Sequence, residues 1–394
     1  MMNVDVKVIE QRAAEVCHEF EIFCDYVLQD RVKLAKKSGF IGKKDCFELN
    51  SHLKVREAYE KPTRFQADYL VINFFYYIAV KYHILEINEK GTGMIKGEDY
   101  ELFWNASAIE RYVLFLMILM CDTGFEKKET SFEWEVDTFM EWAEHTGAVP
   151  GETYYLPDRF LFLYRIGRPA AILCYLEELG VVKVEETDVI PDEEAVKHSR
   201  IKIQPLFNIL CEVSDQIRLY NECEEDDTLI DFTFGQYMHK RFPEYCTGNI
   251  SKMFEEQERD YSGLTVELKI DVRYGDCSRT VCLNLSDTLY TLHRTIQKVF
   301  EFDDDHLFAF YTGQGMMRET YTLDAAFTSG DEMSVDDTFL GDLDLRKGMK
   351  FSYLFDFGDM WWFDIKVLKI SEGHVENPQL IRAVNPAPKQ YPDW

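Results

Sequence analysis

The chain changes rhythm near residue 261: before it apolar residues recur at helical spacing, and after it they alternate. In the first part Val16, Phe20, Phe23 and Val27 form a helical stripe within about Val6 to Lys54. Gly39 and Gly42 interrupt it before a short helix through Asp45, Leu49 and Leu53, which gives LAKKSGFIGKKDCFELNSHL a helix–turn–helix character. ADYLVINFFYYIAVK predicts an apolar helix over 66–81, followed by a strand at HILEI, a turn at 88–93, a second short strand and a helix over 99–104. Residues 107–121 read as a buried helix, because their apolar run is too short to span a bilayer.

A similar order returns further on. A helix over 169–179 stops at Gly180, a C-cap residue, and is followed by the strand VVKVEE, an acidic loop, the strand IKIQ and the helix PLFNILCEV. Helix, hairpin, helix, twice, is the outline of a winged-helix unit. The acidic run ECEEDD, residues 222–227, reads as an exposed loop or boundary, and the segment up to Asp260 as a helical linker.

From Tyr261 the period is two. Leu264, Val266, Leu268, Ile270 and Val272 share one face of a strand, Tyr274-Gly275-Asp276 turns the chain, and Val281, Leu283 and Leu285 alternate on the return. Ser286 and Asp287 suit the N-cap of a helix whose apolar stripe is Leu289, Leu292, Ile296, Val299 and Phe300. HLFAFYTG is the next strand, and KFSYLFDFGDMWWFDIKVLKI reads as a closing hairpin. In that hairpin Phe351, Tyr353 and Phe355 should lie across from the set Trp361, Phe363 and Ile365, where aromatic pairs stabilise by about 0.2–1 kcal/mol each. The fold class expected is α+β: a mostly helical N-terminal region with winged-helix-like units, then a β-grasp-like α+β domain. The divisions expected are 1–125, 126–260 and 261–394.

Composition supports folded domains, with 46% hydrophobic and 14% aromatic residues. The net charge of −28 argues against a chain that coats nucleic acid or anionic lipid over its whole surface. Ten cysteines are scattered without a C-x-x-C pair, which fits neither a zinc module nor a disulfide framework and suits a reducing cytosol. The first residues carry acidic side chains and no apolar core, so no signal peptide is expected.

Three local patterns make the last third similar to the plasmid pRiA4b ORF-3-like family, also described as a TnpR-like passenger of insertion elements. They are the helix core Leu292-His293…Ile296-Gln297, the step His306-Leu307…Phe310, and Y-x-F-D-F-G-D-x-W at Tyr353, Phe355, Asp356, Phe357, Gly358, Asp359 and Trp361. The tail APKQYPDW adds to the resemblance. It implies a fold and a link to mobile elements, and no reaction. The family usually has a His two residues after the Trp, and Phe363 stands there in this chain. The N-terminal region resembles a helical, winged-helix-like extension of that domain.

Candidate chemistry is sparse. Asp356-Phe357-Gly358 lacks every companion motif of a protein kinase. The turn explains it better, with Gly358 at positive φ and the aspartates accepting backbone N–H bonds. The functional alternative makes His306, Asp356, Asp359 and Trp361 a ligand site, with the two carboxylates holding a divalent cation or acting as general base. His293 reads as a partly buried, hydrogen-bonded residue of its helix. The acidic cluster at 303–305 reads as solvated loop charge. One basic island, Arg31 to Arg64, holds ten Lys+Arg against four Asp+Glu. Its Lys36, Lys37, Lys43 and Lys44 flank the helix–turn–helix turn and are where nucleic acid would bind.

No catalytic residue and no cofactor are expected. The function expected is that of a non-enzymatic cytosolic interaction or regulatory protein with a protein partner. DNA binding and a metal-dependent enzyme at Asp356 and Asp359 are the alternatives. The oligomeric state and any metal stay open.

Overall fold

The computed structural model describes residues 6–35, 39–88, 90–121, 132–157, 160, 170–185, 200–222, 229–254, 261–313, 319–323, 332–343 and 345–391. The chain divides into two compact units, Met1–Glu256 and Gln257–Trp394. Helices dominate the first and a sheet dominates the second, an α+β arrangement. No helix among the described residues is long and apolar enough to cross a membrane.

The first unit is built around a largely buried helix. α1 (Val6–Val27) carries the expected stripe, and α2 (Lys43–Asn50) follows the Gly39–Gly42 interruption. After a 3₁₀ turn come α3 (Leu70–Lys81), the two-stranded ribbon β1 (Leu85–Ile87) and β2 (Met94–Lys96), and α4 (Tyr100–Asn105). α5 (Ala108–Cys121) is apolar all round, and every residue from Tyr112 to Leu119 is fully buried. Phe75, Phe103 and the α5 residue Phe115 surround Phe20, with ring centroids 5.2–5.4 Å away.

α5 begins on a capping box. Glu110 accepts the Ser107 N–H at 3.1 Å while the Ser107 hydroxyl accepts the Glu110 N–H at 3.2 Å. The same buried carboxylate also takes the Thr247 hydroxyl at 2.5 Å and the Gly248 N–H at 2.9 Å.

The remaining helices of this unit are α6 (Phe132–Thr146), α7 (Ala171–Glu178), α8 (Phe207–Glu222), α9 (Leu229–Arg241) and α10 (Asn249–Lys252). Three short strands, β3 (Thr153–Tyr155), β4 (Val182–Glu185) and β5 (Arg200–Ile203), form an antiparallel sheet in the order β3-β5-β4. Gly180 takes φ +67 after α7, the left-handed stop expected there. The segment expected to be a linker is instead part of the core: Phe234, Met238, Phe242 and Ile250 are all buried. Its apolar spacing needed a surface, and the elements around α5 supply one. The acidic run lies, apart from Glu222, outside the described residues.

The second unit is one eight-stranded sheet with a helix on one face. Its strands are β6 (Leu264–Val272), β7 (Ser278–Asn284), β8 (Phe308–Thr312), β9 (Glu319–Thr322), β10 (Glu332–Ser334), β11 (Lys350–Phe355), β12 (Trp361–Glu372) and β13 (Gln379–Val384). The order is β10-β9-β8-β11-β12-β6-β7-β13, antiparallel except for the β10–β9 pair. α11 (Leu289–Phe300) lays Leu289, Leu292, Ile296 and Phe300 on the core face. Its N-cap is Thr288, whose hydroxyl accepts the Thr291 N–H, one position later than the Ser286–Asp287 expectation. Asp287 instead accepts the Asn284 N–H at 2.8 Å and shapes the preceding turn.

The closing hairpin pairs Phe351 with Ile365, Tyr353 with Phe363 and Phe355 with Trp361, so the two expected sets of side chains face each other. Phe363 is fully buried between Phe300 (4.9 Å) and Tyr353 (5.6 Å). Core packing accounts for its apolar character.

Candidate functional site

The hairpin turn follows from its aspartate. Asp356 adopts φ +56, a left-handed conformation that Asp tolerates because its short side chain bonds locally. Its Oδ1 accepts the N–H of Gly358 at 2.8 Å and of Asp359 at 3.2 Å, and its own N–H reaches the Leu307 carbonyl at 3.0 Å. The positive φ expected at Gly358 falls instead on Asp356 and Met360. The turn is therefore organised by a side chain, and glycine is not what it depends on conformationally.

His306 comes to this turn from the start of β8. Its Nε2 lies 3.4 Å from Asp356 Oδ2 and 3.8 Å from Asp305 Oδ1. Of the sequence candidates, then, His306 and Asp356 converge. Asp359 is exposed on the turn, and Trp361 packs edge-on against Phe302 at 4.9 Å. The Trp361 indole N–H is buried and has no hydrogen-bond partner among the described residues. Among the described residues, no group of three or more His, Cys, Asp or Glu side chains is placed to hold a metal ion.

A second, connected cluster lies under the turn. His293 is fully buried and stacks flat on Phe308, with ring centroids 3.6 Å apart and planes 4° from parallel. Its Nδ1 is 2.6 Å from the Tyr353 hydroxyl and its Nε2 is 2.9 Å from Asp304 Oδ1. Gln297 Nε2 donates to the same hydroxyl at 2.8 Å, and Arg294 donates to the other oxygen of Asp304. The donors fix the protons: Gln297 N–H to Tyr353 O, Tyr353 O–H to Nδ1, and Nε2–H to the Asp304 carboxylate. Burial pushes His293 down to about 4 against the pull of Asp304, so the ring is neutral near pH 7. Burial likewise holds Tyr353 well above the usual phenol range.

Only part of this cluster is legible from sequence. His293 and Gln297 stand four apart on α11, which puts both on one face, and that spacing was the available signal. Tyr353 looked like one more aromatic of the hairpin. Asp303 to Asp305, expected to be solvated loop charge, are engaged. Asp304 holds His293 and Arg294, Asp305 accepts the Tyr391 hydroxyl at 2.6 Å, and the Asp303 backbone pairs with the Gln390 amide at 2.6 and 3.1 Å.

A shallow cavity of about 430 Å³ lies beside these groups, lined by Tyr290, His293, Asp304, His306, Phe308 and Leu323. Both ring nitrogens of His293 already have protein partners, so the ring offers none to a substrate. His306 is the exposed imidazole of the pair and stays next to a carboxylate. The arrangement can hold the hairpin rigidly and present its tip.

Elsewhere, the nucleic-acid candidates separate. Lys36 and Lys37 lie outside the described residues. Lys43 rests over the Phe65 ring at 3.6 Å, Lys44 is exposed on α2, and Arg31 is held by a two-pronged pair with Glu48 at 2.7 and 3.2 Å. Eight described cysteines are free thiols, and burial pushes Cys17 and Cys46 up to about 12. Those two behave as small core hydrophobes.

The family match falls within the second unit. Residues 262–390 match the family model described as plasmid pRiA4b ORF-3-like protein. No curated protein matches the chain. Among solved structures, a protein of unknown function from Methanosarcina mazei Go1 is similar at 23% identity, covering 32% of this chain and 71% of that one, with a TM-score of 0.27.

Proposed function

We propose that the C-terminal domain is a non-enzymatic recognition module that offers the tip of the β11–β12 hairpin to a protein partner. The observation that carries this is a set of exposed apolar side chains around the buttressed turn. Leu307 is 63% exposed, Phe357 46%, Met360 47% and Tyr391 47%, too much for side chains of this size to be left without purpose on one small tip. Backbone bonds from Asp356 to Leu307 and from Met360 to Asp356 gather three of them, and Tyr391 joins through Asp305 beside His306.

Aromatic and Met side chains are the types enriched at interfaces, and a rigid presenting element reduces the entropy lost on binding. Asp305 and Asp359 rim the patch, which suits a partner whose apolar pocket is flanked by Lys or Arg. A cytosolic setting and a regulatory role tied to mobile elements belong to this proposal, on the strength of the composition and the family resemblance.

The test is co-purification with the full chain as bait, wild type beside a Phe357→Ser, Met360→Ser variant. A partner recovered by the wild type and lost with the variant supports the module. Equal recovery by both, or no stable partner for either, overturns it.

A further inference from the structure

The solvent face of the C-terminal sheet carries an arrangement that folding alone does not favour. Strand register places Lys350 opposite Lys366, and Lys366 opposite Lys269, so three lysines stand in one row across β11, β12 and β6. Like charges directly opposite one another on a sheet are destabilising. Strand spacing puts the whole row within about 10 Å.

The neighbouring row does not neutralise it. Asp271 is taken by Lys269 at 2.6 Å, and Asp364 by Arg273 at 2.6 Å. Among the described residues, Lys350 and Lys366 have no ion-pair partner. This is a local positive surplus on a chain whose net charge is −28.

Beside the lysines lies an aromatic step. Arg273 covers the Trp362 ring at 4.5 Å, and Tyr311 sits against Trp362 with centroids 5.5 Å apart and planes tilted by 36°. Both aromatic residues are half-buried, leaving ring surface open. Lysine row and aromatic step line the same open trough of about 900 Å³.

We infer that this trough binds a single-stranded polynucleotide, with phosphates along Lys350 and Lys366 and a base stacked at Trp362 and Tyr311. Phosphates supply the negative charge the lysine row lacks, and unpaired bases supply flat faces for the half-buried Trp–Tyr step. A duplex keeps its bases stacked inside, so a broad sheet face has nothing to stack on. An acidic peptide would satisfy the lysines and leave the aromatic step unused. This surface is separate from the hairpin tip, and the inference does not depend on the protein-partner reading.

The experiment is fluorescence anisotropy of the full chain with labelled oligothymidine, oligouridine, a duplex of matched sequence and an oligoglutamate peptide, at low salt of about 50 mM. Saturable binding of either single strand, tighter than duplex and peptide, is expected, and the two single-strand arms tell DNA from RNA. Trp362→Ala should weaken it about five- to 150-fold, with Trp362→Phe retaining most of the affinity. Lys350→Gln with Lys366→Gln should weaken it and flatten the dependence of log K on log salt by about 1.4, at roughly 0.7 per phosphate.

That lysine variant should also melt at the same temperature or higher, because it removes like-charge repulsion; lost binding then cannot be ascribed to lost folding. Phe357→Ser with Met360→Ser should leave the affinity unchanged. No single-strand binding at low salt, equal binding of the peptide, or affinity indifferent to the Trp362 and lysine variants overturns the inference.

Discussion

The Tyr353 hydroxyl sits 2.6 Å from His293 Nδ1, and this bond ties the central strand β11 to helix α11 across the core. Because Gln297 donates to the same oxygen, the hydroxyl has a single direction left in which to donate. Tyr353→Phe leaves a buried acceptor on His293 and a buried donor on Gln297 without partners. The expected cost is about 1–3 kcal/mol, read as a lower urea midpoint for the C-terminal unit with little change in slope.

The same histidine sets a pH dependence. Its folded-state value, about 4, lies below the ordinary value near 6.5, so between these the unfolded chain binds a proton that the folded chain does not. Stability should therefore be full above about pH 6.5, fall as pH drops toward 4, and level off below, by at most about 3 kcal/mol. His293→Gln should lose this component of the profile in chemical denaturation measured across that range.

Asp356 allows the turn to be separated from chemistry. Asp356→Asn keeps a carbonyl acceptor for the Gly358 and Asp359 N–H groups and tolerates the left-handed backbone, so a change under about 0.5 kcal/mol is expected. Asp356→Ala loses both bonds in an unfavourable φ, and about 1–3 kcal/mol should go with them. If Asn were as damaging as Ala, the carboxylate charge itself would have to matter.

Glu110 should be the most sensitive polar position in the helical unit. Glu110→Ala leaves the Ser107 and Gly248 N–H groups and the Thr247 hydroxyl without their acceptor, and a loss of about 2–4 kcal/mol is expected by thermal or urea unfolding. Glu110→Gln retains one oxygen acceptor and should fall between that variant and the wild type.

Glu178 has the opposite problem. It is 2% exposed, and burial with the charge of Glu19 pushes it up to about 8. Its folded-state value is raised, so its contribution is full below about pH 4.5 and is lost as pH rises through 8. Glu178→Gln should flatten the alkaline side of the stability profile of the N-terminal unit and raise its melting temperature above pH 8.

The sequence carried the elements well where one period dominates. The alternation of Leu264 to Val272, the stripe on α11 and the alternation along the closing hairpin each dictate a face. Partnerships set by tertiary contact were another matter. Nothing local to Asp304 says that it will meet His293, and nothing in the alternation of β6, β11 and β12 says that Lys269, Lys350 and Lys366 will align, because register is fixed only once strands pair. The segment 229–254 reads as a linker in sequence for the same reason: its apolar residues become core only once α5 is there to cover them.

The strand order of the C-terminal sheet has a kinetic meaning. β6 is the first strand of the domain, yet its partner β12 begins about ninety residues later, and β7 waits equally long for β13. During synthesis the β6–β7 hairpin therefore emerges with both edges open and can complete neither until the last strands arrive. Such long-range closure predicts folding on the millisecond-to-second scale, and a nascent chain halted before residue 361 should be protease-sensitive and prone to edge-to-edge association.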